Sequence, residues 1–84
     1  MSDRERILDF VARDKPLAAL ALDENFEAHA GRIEANPYLY RPGRVPNTRE
    51  AVAHPNYVLV YRAEGETITI LRVLHAAQQW PSAE

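Results

Sequence analysis

Apolar residues Ile7, Phe10 and Val11 recur at helical spacing near the start of the chain, and Ser2 followed by Glu5 matches a capping box. A first helix is expected over about Asp3 to Arg13. Asp14-Lys15-Pro16 ends it and opens another, because proline is tolerated in a first helical turn, where its missing N–H would be unpaired anyway. The second helix should run to about Ala35. Its apolar stripe takes in Ala19, Leu22, Phe26, Ala30 and Ile33, while Asp23, Glu24, Glu27 and Glu34 fall mostly outside it. Two helices joined this tightly form an antiparallel hairpin.

After Asn36-Pro37 the pattern changes. The residue before a proline is pushed out of the helical region, and Pro42, Gly43 and Pro46 keep the following stretch irregular. The period then becomes two. Arg49 to Ala53, Tyr57 to Arg62 and Thr67 to His75 read as strands, separated by turns at His54-Pro55-Asn56 and Glu64-Gly65. Such short connections make neighbouring strands antiparallel. The expected fold class is α+β, an antiparallel helical hairpin packed on a three-stranded antiparallel sheet in the order α-α-β-β-β. One domain spans 1–84, divided into a helical hairpin (2–36), a proline and arginine loop (37–48), a β meander (49–75) and a short tail (76–84).

Composition narrows the function classes. A chain of 84 residues, 46% hydrophobic, makes one domain that buries only about 60% of its unfolded surface. Without cysteine it has neither disulfides nor thiolate metal sites, so packing or a partner must supply the stability. No apolar run approaches the roughly 20 residues of a membrane span, and the N-terminus lacks the apolar segment of a signal peptide, which makes a cytoplasmic location the expectation. The net charge of -2 argues against direct sequence-specific nucleic-acid binding. Charge is unevenly spread. Residues 1–40 sum to -3 and residues 41–84 to +1, and all five late bases are arginines. Guanidinium groups offer a planar fork to carboxylates and phosphates. Arg41, Arg44, Arg49, Arg62 and Arg72, with Tyr38 and Tyr40 beside the proline loop, are therefore the candidate partner-binding residues.

Candidates for catalysis are fewer. His75, at the end of the last strand, is the natural general acid or base, and Arg62 and Arg72 could assist it. Tyr57 and Tyr61, at i and i+4, share a strand face and serve as packing with a hydrogen-bonding tip. His29, His54 and His75 show no metal-ligand spacing, and neither metal nor cofactor is expected.

The string RPGR, then TRE, HPNYVLVYR, ITILRVLH and a closing Trp80-Pro81 resembles the ParE branch of the RelE/ParE toxins, the toxin half of type II toxin-antitoxin pairs. The resemblance implies a cognate antitoxin as partner and DNA gyrase as the target of the free protein. It implies no cofactor. The family adds a strand before the first helix, where this chain begins almost at the helix itself. Such a gap exposes unpaired backbone groups to an antitoxin segment or a second copy of the chain, so a homo-oligomer or hetero-complex is expected. In the RelE-type ribosome-dependent ribonucleases a catalytic arginine follows the strand tyrosine, and the matching residue here is Val58. A further basic pair after the final strand is replaced by Ala76 and Ala77, then Gln78 and Gln79. Valine and alanine can neither neutralise a phosphate nor transfer a proton. The resemblance therefore points to a protein poison rather than an mRNA endonuclease. The alternatives are an endonuclease built on His75, Arg62 and Arg72, and a non-toxic member that acts by protein binding alone.

Overall fold

A computed structural model describes residues 2–76. Helix α1 spans Asp3–Asp14 and helix α2 Pro16–Ala35, followed by strands β1 (Arg41–Pro42), β2 (Arg49–His54), β3 (Tyr57–Glu64) and β4 (Thr67–His75). The four strands form one antiparallel sheet in the order β1-β2-β3-β4. This is the α+β arrangement expected from the sequence, with one strand more than the three anticipated. The addition is the two-residue β1, which the alternation rule cannot detect because it lies inside the proline loop and is defined only by its pairing with Arg49 and Glu50. The turn after β3 falls at Gly65-Glu66, one residue later than expected, with Gly65 at φ 58°.

Local chemistry explains the helix ends. Ser2 caps α1 by accepting the Glu5 N–H at 3.2 Å, and its hydroxyl donates to the Glu5 carboxylate at 3.0 Å. Pro16 opens α2. Arg4 of α1 bonds both Asp23 and Glu27 of α2, which ties the hairpin together. The helices differ in length: 12 residues against 20, or about 18 Å against 30 Å. Because they run antiparallel, the C-terminal part of α2 has no helix beside it. A cleft bordered by Ser2, Asp3, Phe26, Ala30, Ile70 and Leu71 lies there.

The core sits between the helices and one face of the sheet. Leu22, Phe26 and Ile33 of α2 meet Ala51, Ala53, Leu59, Tyr61 and Val73, with Ile7, Leu8 and Val11 of α1 packed alongside. Ala19 is buried with this stripe and Ala30 is half-buried. Strand alternation sends Glu50, Val58, Val60 and Leu74 to the opposite face, and these are buried too. An irregularity between Val60 and Tyr61 leaves Leu71 without a partner on β3, a bulge that increases local twist.

Candidate partner-binding site

Six residues separate β1 from β2, and the loop turns tightly on itself. Gly43 N–H donates to the Thr48 carbonyl at 2.7 Å, and the Thr48 hydroxyl donates to the Val45 carbonyl at 2.6 Å. Glycine is required by this approach: a Cβ at position 43 would lie 2.1 Å from Thr48 Oγ1 and 3.1 Å from the Thr48 carbonyl carbon. Asn47 takes φ 66°, a conformation that asparagine adopts more readily than most residues.

This turn brings Arg44 over Glu50. The Glu50 carboxylate, on a residue only 2% exposed, accepts the Arg44 backbone N–H at 2.9 Å. It also receives the Arg44 guanidinium at 3.2 Å and Arg41 Nη2 at 3.3 Å. Burial pushes the Glu50 carboxyl up, but the Arg44 amide, the Arg44 guanidinium and the nearby Arg41 charge outweigh it and hold the group below the ordinary glutamate value. Two guanidiniums on one carboxylate leave an excess positive charge at the surface. Their side chains are 58% and 43% exposed, so both present N–H groups to solvent while the carboxylate beneath fixes them.

Arg49 is adjacent to Glu50 in sequence but points to the other face of β2, as strand alternation requires. Its Nη1 donates to the Tyr40 carbonyl at 2.7 Å and the Tyr38 carbonyl at 3.3 Å, and its guanidinium lies 5.0 Å from the centroid of the Tyr38 ring. It therefore holds the 36–42 segment against the sheet. Tyr61 assists from below. Its hydroxyl donates to the Pro37 carbonyl, and its ring meets Tyr40 edge-on at 6.3 Å. Burial raises the Tyr61 phenol above its ordinary value, which keeps it a donor. Tyr38 is 61% exposed and Tyr40 half-buried, which places Tyr38 at the surface as a contact residue.

The other candidates lie elsewhere. Arg62 pairs with Glu64 at 3.1 Å near the β3–β4 turn. Arg72 bonds Asp3 of α1 at 2.5 Å, on the opposite border of the sheet from β1. The five arginines thus divide into a Glu50-centred pair, a loop clamp and two separate positions. They do not converge on one loop.

His75 lies opposite Tyr57, whose ring it meets edge-on at 5.5 Å, with His54 tilted against the same ring at 5.7 Å. Tyr57 also packs on Phe26 at 6.0 Å. Five strand positions separate the His75 level from that of Arg62, which is about 17 Å. Arg62 therefore stands apart from His75, whereas Arg72 and His75 line one cleft together with Arg6 and Tyr57. Among the described residues no group of three or more His, Asp or Glu side chains could hold a metal ion. Ala77, Gln78 and Gln79 lie outside the described residues. No helix of the described residues is long and apolar enough to cross a membrane.

Two residues escaped sequence reasoning. Glu50 gave no sign of being buried, although its place within ten residues of Arg41 and Arg44 was a signal of pairing. Asp3 had no signal at all, since its partners Arg72 and Val73 lie about 70 positions away.

A helical hairpin laid on an antiparallel sheet is an α+β fold consistent with the RelE/ParE-like toxins. The chain matches the family model for the ParE toxin of the type II toxin-antitoxin system, parDE, over residues 1–80, and it belongs to that family. It is similar to "Putative toxin Y4kP" of Sinorhizobium fredii (strain NBRC 101917 / NGR234), with 36% identity over 73 residues, covering 86% of this chain and 75% of that protein. Membership of a type II toxin-antitoxin family implies an antitoxin partner.

Proposed function

We propose that this protein is a ParE-type toxin that is silenced by its antitoxin and, when free, inhibits DNA gyrase. The observation that carries the docking part of this reading is the pair of half-exposed guanidiniums fixed over buried Glu50. A guanidinium held in place loses less freedom on binding than a mobile one, so an acidic antitoxin segment gains both direction and strength from Arg41 and Arg44. Tyr38, Tyr40 and Arg49 lie on the other face of β2, and Arg62 and Arg72 stand apart, so each would be a separate contact for a partner that wraps the sheet.

Gyrase as target rests on the family to which the chain belongs. A protein poison needs a binding surface and no active site of its own. Expression should arrest growth, co-expression of the neighbouring open reading frame should relieve the arrest, and purified protein should inhibit gyrase supercoiling. Growth arrest with unaffected gyrase would move the target elsewhere. Antitoxin binding without growth arrest would select the non-toxic reading. Cleavage of mRNA on translating ribosomes, lost in His75→Ala, would select the endonuclease instead.

A further inference from the structure

A cleft of about 380 Å³ opens at the start of β2, lined by Tyr38, Pro42, Asn47, Arg49, Arg62 and Glu64. It brings Arg62 beside the Arg49 clamp, and the Glu50 pair takes no part in it. Both guanidiniums are held at one nitrogen. Arg49 commits Nη1 to the Tyr38 and Tyr40 carbonyls, and Arg62 commits Nε to Glu64 at 3.1 Å. Among the described residues, the remaining N–H groups of both arginines and the Asn47 carboxamide make no further hydrogen bond. A guanidinium fixed at one end presents the rest of its fork already oriented, so less freedom is lost when an anion binds. The Tyr38 ring has the Arg49 guanidinium 5.0 Å from its centroid and is 61% exposed, which leaves its other face open.

Three chemistries meet in this cleft. Guanidinium forks match phosphate oxygens, a tyrosine face backed by an arginine takes a flat base by stacking, and a carboxylate accepts sugar hydroxyls. Two arginines against the single carboxylate of Glu64 leave the lining at +1, which favours an anion. We propose that the cleft binds a ribonucleotide, with its phosphate on Arg62, Asn47 and the remaining N–H groups of Arg49, its base on Tyr38 and its ribose hydroxyls on Glu64. A bare oxyanion leaves Tyr38 unused, and an acidic side chain gains nothing from Glu64. The volume lies in the lower part of the range for small-molecule pockets, about 300–1,000 Å³, and suits one nucleotide rather than a duplex. This inference goes beyond the toxin reading and does not depend on it.

Calorimetric titration of the full chain with adenosine monophosphate, inorganic phosphate and adenosine tests this. The nucleotide should bind with a Kd of about a millimolar or tighter, and phosphate and adenosine about tenfold more weakly, since each uses only part of the cleft. Arg62→Gln should weaken the nucleotide about tenfold and leave adenosine unchanged. Tyr38→Ala should weaken the nucleotide and adenosine by a similar factor and leave phosphate unchanged. Both side chains are exposed, so thermal unfolding of the two variants should stay close to that of the native chain. Arg41→Gln, outside the cleft, should bind the nucleotide as the native chain does. No binding of adenosine monophosphate, binding no tighter than that of inorganic phosphate, or an equal loss in Arg41→Gln and Arg62→Gln would each overturn the proposal. So would binding of single-stranded RNA by a chain that ignores the mononucleotide.

Discussion

Replacing Glu50 by glutamine removes one charge from a side chain of nearly unchanged shape. In the native protein the carboxylate accepts the Arg44 amide at 2.9 Å and lies 3.2–3.3 Å from the Arg44 and Arg41 guanidiniums. A hydrogen bond to a charged group contributes about 1.5–3 kcal/mol. Glutamine keeps an acceptor for the Arg44 amide but presents an NH2 group to donors and leaves two guanidiniums without their counter-charge. Both guanidiniums are about half exposed, so water screens much of their repulsion and the loss falls at the low end, about 2 kcal/mol. For a domain of this size that corresponds to a fall in Tm of about 8–16 °C. The pH dependence supplies a second reading. The folded carboxyl titrates below its ordinary value of 4.5, so its contribution is fully present above the unfolded value and is lost as pH falls through the folded one. Glu50→Gln should be flatter than the native chain in that acid window. Urea and thermal unfolding at neutral and acid pH measure both effects. A loss below about 0.5 kcal/mol, or an unchanged acid slope, would refute the assignment of Glu50 as the fixed centre of this surface.

Three further outcomes follow from the same geometry. Gly43→Ala should cost about 1–3 kcal/mol, since the new methyl overlaps Thr48 and opens the loop; thermal unfolding measures it. Tyr61→Phe should cost about 1–2 kcal/mol through loss of the buried bond to the Pro37 carbonyl, read from urea midpoints. Asp3→Ala should raise the hydrogen-exchange rate of the Val73 amide and abolish an acid-sensitive contribution. Burial pushes the Asp3 carboxyl up, yet Arg72, the Val73 N–H and Arg6 hold it low, so its stabilisation is likewise lost as pH falls through the folded value.

Much of the fold was legible because local chemistry and tertiary packing agree. The Ser2 cap, the apolar stripe from Ala19 to Ile33 and the strand from Thr67 to His75 all stand where periodicity put them. Strand β1 was not legible, since two residues containing a proline carry no period. The site was legible in composition and not in arrangement. Arginines at 41, 44 and 49 read as one cluster along the chain, but alternation on β2 directs Arg49 and Glu50 to opposite faces, which places the clamp and the ion pair on different sides. The placement of Asp3 against β4 depends on how far α1 reaches across the sheet, a quantity that sequence spacing does not encode.

The outermost strand, Arg41–Pro42, has a consequence for how large an assembly can become. Polymer growth through strand addition needs two receptive borders on every subunit. Here proline has no N–H to offer at one of them, and the rest of β2 beyond that strand is four residues long and irregular between Val52 and His54. Sheet extension across this border is therefore stopped by one imino acid.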